Sequence, residues 1–286
     1  MQDISAALFG FPLGHSVSPA MHHAAAADLG IPLRYQLWPL EAGELDDALQ
    51  TIRRDPWVGA NVTLPHKPAV ARLVDRVTPV ARRAGAVNTI FKRDGLLWGD
   101  NTDVPALARC LRPLLDRPPE EERVLVLGAG GAARAVLVAL EDLGCARVAL
   151  ANRTDQKAAD LLREMRSGEA RGPARITRVP WGGVPDLLAG VSLLVNATSV
   201  GLDGSAMPLP DLPLGPGARV FDLVYGQDAT PLVRQARLLG FQATDGLWML
   251  VYQAALAFEL WTGQKPPEAR MHEAALEALR TRGHSP

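Results

Sequence analysis

The sequence predicts an α/β protein of two domains, in which helices cover sheets of mainly parallel strands. Short apolar segments alternate with helical segments along most of the 286 residues, and this alternation is typical of repeated β–α units. A polar segment with two prolines and three glutamates, Arg117–Glu122, separates two such series. We expect this break to lie on the surface before a second core begins. The length allows two domains of modest size.

The first series contains three strands and three helices. Its predicted strands are Ile4–Phe9, Tyr35–Trp38 and Trp57–Val62, and its predicted helices are Pro19–Leu29, Gly43–Arg53 and Ala69–Leu73. Start and stop signals support the first helix most clearly. Ser18 is the expected N-cap, Pro19 lies in the first turn, and Gly30 ends the helix.

The second series follows the polar break, and a long helical region closes the chain. The predicted strands are Val124–Leu127, Arg147–Ala151, Val191–Val195 and Arg219–Val224, and the predicted helices end at Leu143 and cover Thr230–Leu239, Leu247–Trp261 and Glu268–Arg280. The apolar helix from Leu247 is about four residues too short to span a bilayer. It also contains Gln253 and Glu259, so it is expected to be a buried helix.

Composition and charge exclude several classes of function. The formal charge of −1 provides no broad basic surface, so no nucleic-acid partner is expected. The six histidines form no metal-binding signature, and no metal site is expected. Cys110 and Cys145 have apolar neighbours, which favours free buried thiols in a reducing compartment. The N-terminus lacks the pattern of a signal peptide. A cytoplasmic protein that binds no membrane is therefore expected.

A glycine-rich loop follows the first strand of the second series, and it consists of Gly128, Ala129, Gly130, Gly131, Ala132 and Ala133. The segment matches the dinucleotide-binding fingerprint in its alanine-ended form. Gly128 allows a tight turn, Gly130 allows the backbone to approach a pyrophosphate, and Ala133 allows close contact between helix and strand. The context of strand, turn and helix favours a Rossmann-type domain over a glycine turn that serves packing alone.

The end of the next strand distinguishes between the two nicotinamide cofactors. NAD-binding sites usually place a carboxylate there, to bind the ribose 2′-hydroxyl. This chain has Asn152, Arg153 and Thr154 instead. A guanidinium and a hydroxyl suit a 2′-phosphate, so the sequence predicts NADP. The alternative for Arg153 is an ordinary solvated surface charge.

Four polar motifs, each after an apolar segment, supply the remaining chemistry. They are His15–Pro19, Asn61–Lys67, Gly85–Thr89 and Asn101–Asp103. Ligands of α/β sheets bind at loops that follow strands. Hydroxyls and a helix N-terminus can bind a carboxylate, amides can bind ring hydroxyls, and a lysine with an aspartate can handle a proton. Taken singly, each residue could instead cap a helix, close a turn or lie on the surface.

These motifs and those that follow resemble the shikimate dehydrogenase family. The resemblance extends from Phe9 to about Gly263 and includes the glycine loop and four later segments, which are Asn152–Thr154, Asn196–Thr198, Asp222–Tyr225 and Asp245–Gln253. One position departs from the family. Pro79 stands nine residues before Asn88, where many members have an acidic residue near the cofactor.

The resemblance implies a role for each matching residue. Lys67 and Asp103 match the catalytic pair of the family. The substrate carboxylate is expected to bind Ser16 and Ser18, with help from Tyr225. The residues that match contacts to the ring hydroxyls are Thr63, Asn88 and Gln253. Two further residues match positions where the backbone approaches the nicotinamide half of NADP, and these are Leu223 and Gly246.

The resemblance also implies the reaction and the domain organisation. The expected reaction is the reversible NADPH-linked reduction of 3-dehydroshikimate to shikimate, a step of the shikimate pathway towards chorismate and the aromatic amino acids. Residues 1–104 and 247–286 are expected to form a discontinuous substrate-binding domain, and residues 105–246 the NADP-binding domain. The protein is expected to be a monomer or a homodimer.

Alternatives stay open for the mechanism and for the activity. Lys67 either transfers the proton of the C3 hydroxyl or remains charged and stabilises the developing alkoxide. A lysine acts as a base near neutral pH only where burial or a cation opposes the effect of a neighbouring carboxylate. The activity itself could be that of a quinate/shikimate dehydrogenase that uses NAD(P). A catalytically silent NADP-binding sensor on the same fold is the third possibility.

Overall fold

The structure is a computed structural model that describes residues 3–167 and 175–282. The chain divides into two compact units. One consists of Met1–Asp103 and Leu250–Pro286, and the other of Val104–Met249. Each unit contains a six-stranded sheet, and both sheets have mostly parallel pairings. The mixed α/β class expected from the sequence is therefore confirmed.

The strands are numbered in chain order through the described residues. They are β1 Ile4–Gly10, β2 Leu33–Pro39, β3 Trp57–Val62, β4 Arg76–Val77, β5 Thr89–Arg93, β6 Leu96–Asp100, β7 Arg123–Leu127, β8 Arg147–Ala151, β9 Arg175–Val179, β10 Leu193–Asn196, β11 Arg219–Asp222 and β12 Gln242–Thr244. The first unit has the strand order β2-β1-β3-β5-β6-β4, and the second has β12-β11-β10-β7-β8-β9.

The helices connect these strands and close the chain. They are α1 Ser18–Asp28, α2 Leu45–Ile52, α3 Lys67–Leu73, α4 Pro79–Ala84, α5 Asp103–Leu111, α6 Gly131–Asp142, α7 Asp155–Ser167, α8 Val184–Leu188, α9 Pro231–Leu238, α10 Leu247–Thr262 and α11 Glu268–Arg282. Among the helices of the described ranges, none is long and apolar enough to cross a membrane.

The core of the first unit occupies both faces of its sheet, because the side chains of β1 alternate between them. Ala7 and Phe9 pack in one buried cluster with the apolar side chains of α2. Ala6 and Leu8 pack in the other cluster with Trp261 of α10. The indole Nε1 of Trp261 also donates a hydrogen bond to the Ile90 carbonyl oxygen at 2.9 Å. The C-terminal helices are therefore part of this core.

An antiparallel hairpin completes the first sheet, and the analysis of the sequence missed it. β5 pairs antiparallel with both β3 and β6, while β1 is parallel to β2 and β3. Asp94 and Gly95 form the turn, with φ angles of 53° and 72°. An Asp-Gly pair is a strong hairpin signal, because both central residues of the turn need positive φ. The hairpin places Thr89 opposite Asp100, which brings together the residues around them.

All strand pairings of the second sheet are parallel. β7 lies between β10 and β8, and its side chains after the first residue are buried. A continuous apolar strand is expected at such a position, because helices cover both faces of a parallel sheet. The analysis of the sequence missed β9 and β12, whose short segments mix polar and apolar residues.

Two details of the sequence analysis are wrong. Ser18 is not the N-cap of α1. The N-cap is Val17, no side-chain capping bond is present, and Ser18 is buried in the first turn. Val17 has φ −90° and ψ 1° instead of the extended geometry of a side-chain cap. The backbone amide of Ser18 donates instead to the Ser16 hydroxyl oxygen at 3.3 Å.

Glu122, the last residue of the polar break, is buried instead of lying on the surface. Its Oε1 accepts hydrogen bonds from the backbone amides of Asp116 at 2.8 Å and Arg117 at 2.9 Å. Its Oε2 accepts a hydrogen bond from the hydroxyl of Ser192. A buried carboxylate needs such donors. Glu122 thus holds the connection between α5 and β7 against the neighbouring strand β10.

Candidate functional site

Lys67 and Asp103 form a close ion pair in the first unit. The Lys67 Nζ lies 2.6 Å from the Asp103 Oδ2. Their side chains are 26% and 14% exposed, respectively. The amine is therefore held by a carboxylate and is also open enough to reach a small molecule. Lys67 is the first residue of α3, and Asp103 is the first residue of α5.

The backbone on both sides of Lys67 is anchored. The turn between β3 and α3 starts where the Thr63 amide donates to the Phe9 carbonyl oxygen at 2.8 Å. His66 is buried, and its ring Nε2 lies 2.7 Å from the Leu40 carbonyl oxygen. The carbonyl of Lys67 itself accepts a hydrogen bond from the Val87 amide at 3.0 Å. These bonds fix the start of α3 and hence the base of the lysine side chain.

Asp103 is placed by the loop that follows β6. The buried Asn101 side chain donates to the Ala86 carbonyl oxygen at 2.9 Å. The Thr102 amide donates to Asn88 Oδ1 at 2.8 Å. The Asn88 amide in turn donates to the Asp100 carbonyl oxygen at 3.0 Å. Asp103 therefore follows three residues that are each tied to the loop before β5.

The hydrogen bonds of Asn88 limit what its side chain can do. Its Oδ1 accepts from the Thr102 amide at 2.8 Å and the Thr89 hydroxyl at 3.1 Å. Its Nδ2 donates to the Thr102 hydroxyl oxygen at 3.0 Å. A carboxamide has two N–H donors, so these bonds leave one of them. Asn88 is thus suited to donate one hydrogen bond to a ligand hydroxyl.

A buried hydrogen-bond network next to Asn88 could not be predicted from the sequence. The Tyr35 hydroxyl donates to Asn61 Oδ1 at 2.9 Å, and Asn61 Nδ2 donates to the Thr89 hydroxyl oxygen at 3.2 Å. Burial raises the pKa of Tyr35, so this hydroxyl stays protonated and acts as a donor. The network joins β2, β3 and β5. Since its partners are far apart in the chain, no local motif could reveal it.

Four further predicted substrate ligands lie on other elements of the first unit. Ser16 is half-buried and Ser18 is buried at the start of α1, and Thr63 is half-buried after β3. A side chain at Gly10 would meet the Thr63 methyl carbon at 2.3 Å, so the end of β1 needs glycine there. Gln253 is half-buried on α10, and its Nε2 donates to the Leu250 carbonyl oxygen at 2.8 Å.

Tyr225 is the remaining predicted substrate ligand, and Pro79 is the position that departs from the family. Tyr225 belongs to the second unit, where it is half-buried in the loop after β11. Pro79 is the exposed first residue of α4, and the Thr78 hydroxyl caps this helix by accepting from the Ala81 amide at 3.3 Å.

The glycine loop of the second unit fits a pyrophosphate. Gly128 has φ 112°, and a side chain there would meet the Ala197 carbonyl oxygen at 2.8 Å. Side chains built at Gly130 and Gly131 would meet nothing within 4 Å, so the space next to them is open. The Arg134 amide donates to the Gly130 carbonyl oxygen at 3.0 Å. The backbone amides of residues 131–133 come before this first hydrogen bond of α6, so they have no acceptor within the helix and can bind an anion.

The end of β8 lies at the same edge of the second sheet. The Gly128 amide donates to the carbonyl oxygen of Ala151, the last residue of β8, at 2.8 Å. Asn152 Nδ2 donates to the Thr154 carbonyl oxygen at 2.8 Å and shapes the turn, and Arg153 is exposed. Arg153 thus follows, by two residues, the strand end that is bonded to the glycine loop, and a guanidinium suits a 2′-phosphate.

Leu223 and Gly246 meet through their backbones. A side chain on Gly246 would lie 2.1 Å from the Leu223 carbonyl oxygen. Asp222, just before Leu223, is buried, and burial raises its pKa. It accepts hydrogen bonds from Asn196 Nδ2 at 2.8 Å and the Thr230 hydroxyl at 2.6 Å. These contacts fix the loop that the sequence assigns to the nicotinamide half of the cofactor.

No group of three or more histidine, cysteine, aspartate or glutamate residues in the described ranges is arranged to hold a metal ion.

Three family models match the chain in succession. Residues 8–90 match the shikimate dehydrogenase substrate binding domain. Residues 116–182 match the model described as shikimate / quinate 5-dehydrogenase. Residues 246–276 match the shikimate 5′-dehydrogenase C-terminal domain.

Proteins that match this chain over nearly its whole length belong to the same family as these models. The shikimate dehydrogenase (NADP(+)) of Geobacillus kaustophilus is 42% identical over 96% of this chain and 98% of its own length. The crystal structure of shikimate 5-dehydrogenase from Thermus thermophilus, in complex with NADP(H) and shikimate, is 40% identical with a TM-score of 0.84. The match covers 96% of this chain and all of that one. Quinate dehydrogenase from Corynebacterium glutamicum, in complex with NAD, is 32% identical with a TM-score of 0.85, over 96% and 99% of the two chains.

Proposed function

This chain belongs to the shikimate dehydrogenase family, and we propose that it catalyses the reversible NADPH-linked reduction of 3-dehydroshikimate to shikimate. The observation that carries this proposal is the ion pair of Lys67 Nζ and Asp103 Oδ2 at 2.6 Å. The reaction needs a group that delivers a proton to the ketone oxygen and takes it back in the reverse direction. A lysine amine that a carboxylate holds at a partly exposed position can deliver this proton in the direction of reduction.

The two catalytic residues have separate tasks. Lys67 gives a proton to the oxygen on C3 during reduction and accepts it during oxidation. Asp103 holds the amine in place and accepts a hydrogen bond from the same hydroxyl. In the alternative mechanism, Lys67 remains charged and stabilises the developing alkoxide. Both mechanisms need the amine within hydrogen-bond distance of the reacting oxygen.

NADP is the hydride carrier when bound, and the second unit supplies residues that fit it. Its pyrophosphate is assigned to the glycine loop, which comprises Gly128, Ala129, Gly130, Gly131 and Ala132. Arg153, Asn152 and Thr154 are assigned to the ribose with its 2′-phosphate. Leu223 and Gly246 are assigned to the nicotinamide half. We accordingly assign residues 105–246 to the NADP-binding domain and residues 1–104 with 247–286 to the substrate-binding domain.

The substrate is assigned to polar side chains of complementary chemistry. Ser16 and Ser18, with Tyr225, bind the carboxylate through hydroxyl donors. Thr63, Asn88 and Gln253 bind the ring hydroxyls. For Asn88 the assignment is specific, because its remaining N–H can only donate, and the ligand hydroxyl must therefore accept.

Quinate is the second candidate substrate, with NAD as a second candidate cofactor. The family model over residues 116–182 includes quinate dehydrogenases, and the Corynebacterium enzyme with NAD has a similar fold. Arg153 favours NADP, because a cation there binds a 2′-phosphate and has no special partner in NAD. A catalytically silent sensor is disfavoured, since Lys67 and Asp103 are both present and paired.

A spectrophotometric assay tests the function. The purified chain is mixed with shikimate or quinate and with NADP or NAD, and cofactor reduction is followed by absorbance. With shikimate as substrate, we expect kcat/KM to be at least about ten-fold higher for NADP than for NAD, since a single charged contact provides about that discrimination. With NADP, we expect shikimate to be turned over faster than quinate. Faster turnover of quinate with NAD would favour the second candidate. Binding of NADP without any turnover would indicate the sensor.

The partners and location follow from the proposed role. The substrate is a small molecule, and we assign the enzyme to the cytoplasm as a monomer or homodimer. Two free cysteines, Cys110 and Cys145, are in keeping with a reducing compartment.

A further inference from the structure

A carboxylate follows Arg153 closely, at the place where the 2′-phosphate is proposed to bind. Asp155 is the first residue of α7. Two Cα–Cα steps separate it from Arg153, so the two Cα atoms are within about 7.6 Å of each other. A negative charge near a bound phosphate dianion repels it. A carboxylate close to the end of this strand is also the feature that usually selects NAD.

Arg178 on β9 binds this carboxylate. Its Nη1 lies 2.9 Å from the Asp155 Oδ2, and the two side chains are 44% and 46% exposed. β9 is the parallel neighbour of β8, and Arg178 pairs with Leu150 just before the end of that strand. The register thus places a cation beside the start of α7. The other oxygen of Asp155, Oδ1, is buried and has no hydrogen-bond partner among the described residues.

We propose that Arg178 determines cofactor specificity by neutralising Asp155. The pair then carries no net charge, and Arg153 leaves the surroundings of the 2′-phosphate positive. An exposed ion pair of this kind contributes little to stability, so its main effect is on the charge of the site. Arg178 acts through Asp155 and does not touch the phosphate. The inference rests on the proposed function, because it takes Arg153 as the phosphate ligand.

Equilibrium binding to the full-length chain tests this proposal without turnover. The probes are adenosine 2′,5′-bisphosphate and AMP, which differ by the 2′-phosphate, and Kd is measured by calorimetry. Taking a separation of about 7 Å between the unit charge and the dianion in water, Arg178→Gln should weaken bisphosphate binding roughly four-fold at about 20 mM salt. The loss should shrink to less than about two-fold at about 0.5 M salt. Binding of AMP should stay the same.

A double-mutant cycle separates neutralisation from direct contact. Asp155→Asn should strengthen bisphosphate binding by a similar factor, because Arg178 then adds an unpaired positive charge. The variant with both changes should return close to the wild-type Kd. If the variant with both changes bound the bisphosphate much more weakly than the wild type, Arg178 would touch the phosphate itself and the proposal would be wrong. An unchanged Kd for Arg178→Gln at low salt would also overturn it.

Two further variants serve as controls. Arg163→Gln removes the same charge from another exposed pair, Arg163 with Asp160 at 2.7 Å, about 12 Å further along α7 from Asp155. At the same salt of about 20 mM, it should change the Kd less than about two-fold. Arg153→Gln tests the proposed function independently and should weaken bisphosphate binding about ten-fold. If it did not, the phosphate site would be misassigned, whereas failure of Arg178→Gln alone would reject only this inference.

Discussion

At the scale of single residues, the fold holds the proposed catalytic pair, Lys67 and Asp103, in a fixed geometry. The amine and the carboxylate meet at 2.6 Å, and each sits on the first residue of a helix whose start is anchored by hydrogen bonds. Such anchoring matters because proton transfer and charge stabilisation depend on positions within fractions of an ångström. Asn88 is held in a similar way by its bonds to Thr102 and Thr89, which leave one side-chain N–H for its proposed contact with the substrate.

The first prediction concerns the lysine. Lys67→Met keeps an unbranched side chain but removes the amine, and kcat for shikimate oxidation should fall by about two or more orders of magnitude. KM should change less. Steady-state kinetics checks this. Lys92→Met is the matched control, because Lys92 forms a similar pair with Asp55 at 2.9 Å outside the proposed site. Near-normal turnover by Lys67→Met would remove this residue from the mechanism.

At the scale of a single element, two histidines of α1 make the stability of the fold depend on pH. His22 has no exposed surface and stacks on the ring of Tyr35, with the centroids 4.4 Å apart. Burial lowers the pKa of His22 to about 3, and the Asn61 side chain offsets only part of this effect. Burial also lowers the pKa of His23, whose Nε2 accepts a hydrogen bond from the Tyr35 amide at 3.1 Å. The helix therefore packs with both imidazoles neutral.

The second prediction follows from the buried imidazole. In the unfolded chain, His22 binds a proton below a pH of about 6.5. In the folded chain, it binds a proton only at much lower pH, so acid favours unfolding. His22 should reduce the free energy of unfolding by about 1.4 kcal/mol between pH of about 7.5 and about 5.5. Urea unfolding at the two pH values measures it. The variant His22→Phe keeps an aromatic ring at this position. Over the same pH range, its free energy of unfolding should fall by about 1.4 kcal/mol less than that of the wild type.

The control for this comparison is His15→Gln, which replaces an exposed histidine of the same unit and should keep the wild-type pH dependence. If His22→Phe lost as much stability on acidification as the wild type, His22 would not be the group responsible.

The two units of the molecule differ in the number of chain segments that form them. The second unit consists of one segment, Val104–Met249. The first unit needs two, because Trp261 of α10 packs with Ala6 and Leu8. α1 also packs against α11. The first segment alone therefore lacks a large part of its core, while the second unit contains its whole sheet and a buried cluster whose members all belong to that unit.

The third prediction tests this difference with fragments. The fragment of residues 104–249 should fold and bind adenosine 2′,5′-bisphosphate, because its core is complete. The fragment of residues 1–103 should not fold by itself, since apolar surface that Trp261 and Ala257 cover would be exposed. Thermal melting by circular dichroism and calorimetry check the two expectations. A cooperative melt of residues 1–103 alone would contradict the second.

The sequence by itself determined the local features of this protein. The glycine loop, the boundaries of β3 and β8, and the order of the polar motifs follow from residues close together in the chain, because turns and strand ends depend on neighbouring side chains. The roles of Lys67 and Asp103 came from a family resemblance.

Only the tertiary structure decided which distant groups meet. Asn61 contacts Thr89 across 28 positions, and Ser192 contacts Glu122 across 70. The β5–β6 hairpin sets the contact between Asn88 and Thr102, and the register of β9 sets the contact between Arg178 and Asp155. No short pattern specifies the pairing partner of strands that are remote in sequence, whereas the Asp94-Gly95 pair does signal the β5–β6 hairpin. The physical reason is that burial and register are properties of the assembled sheets.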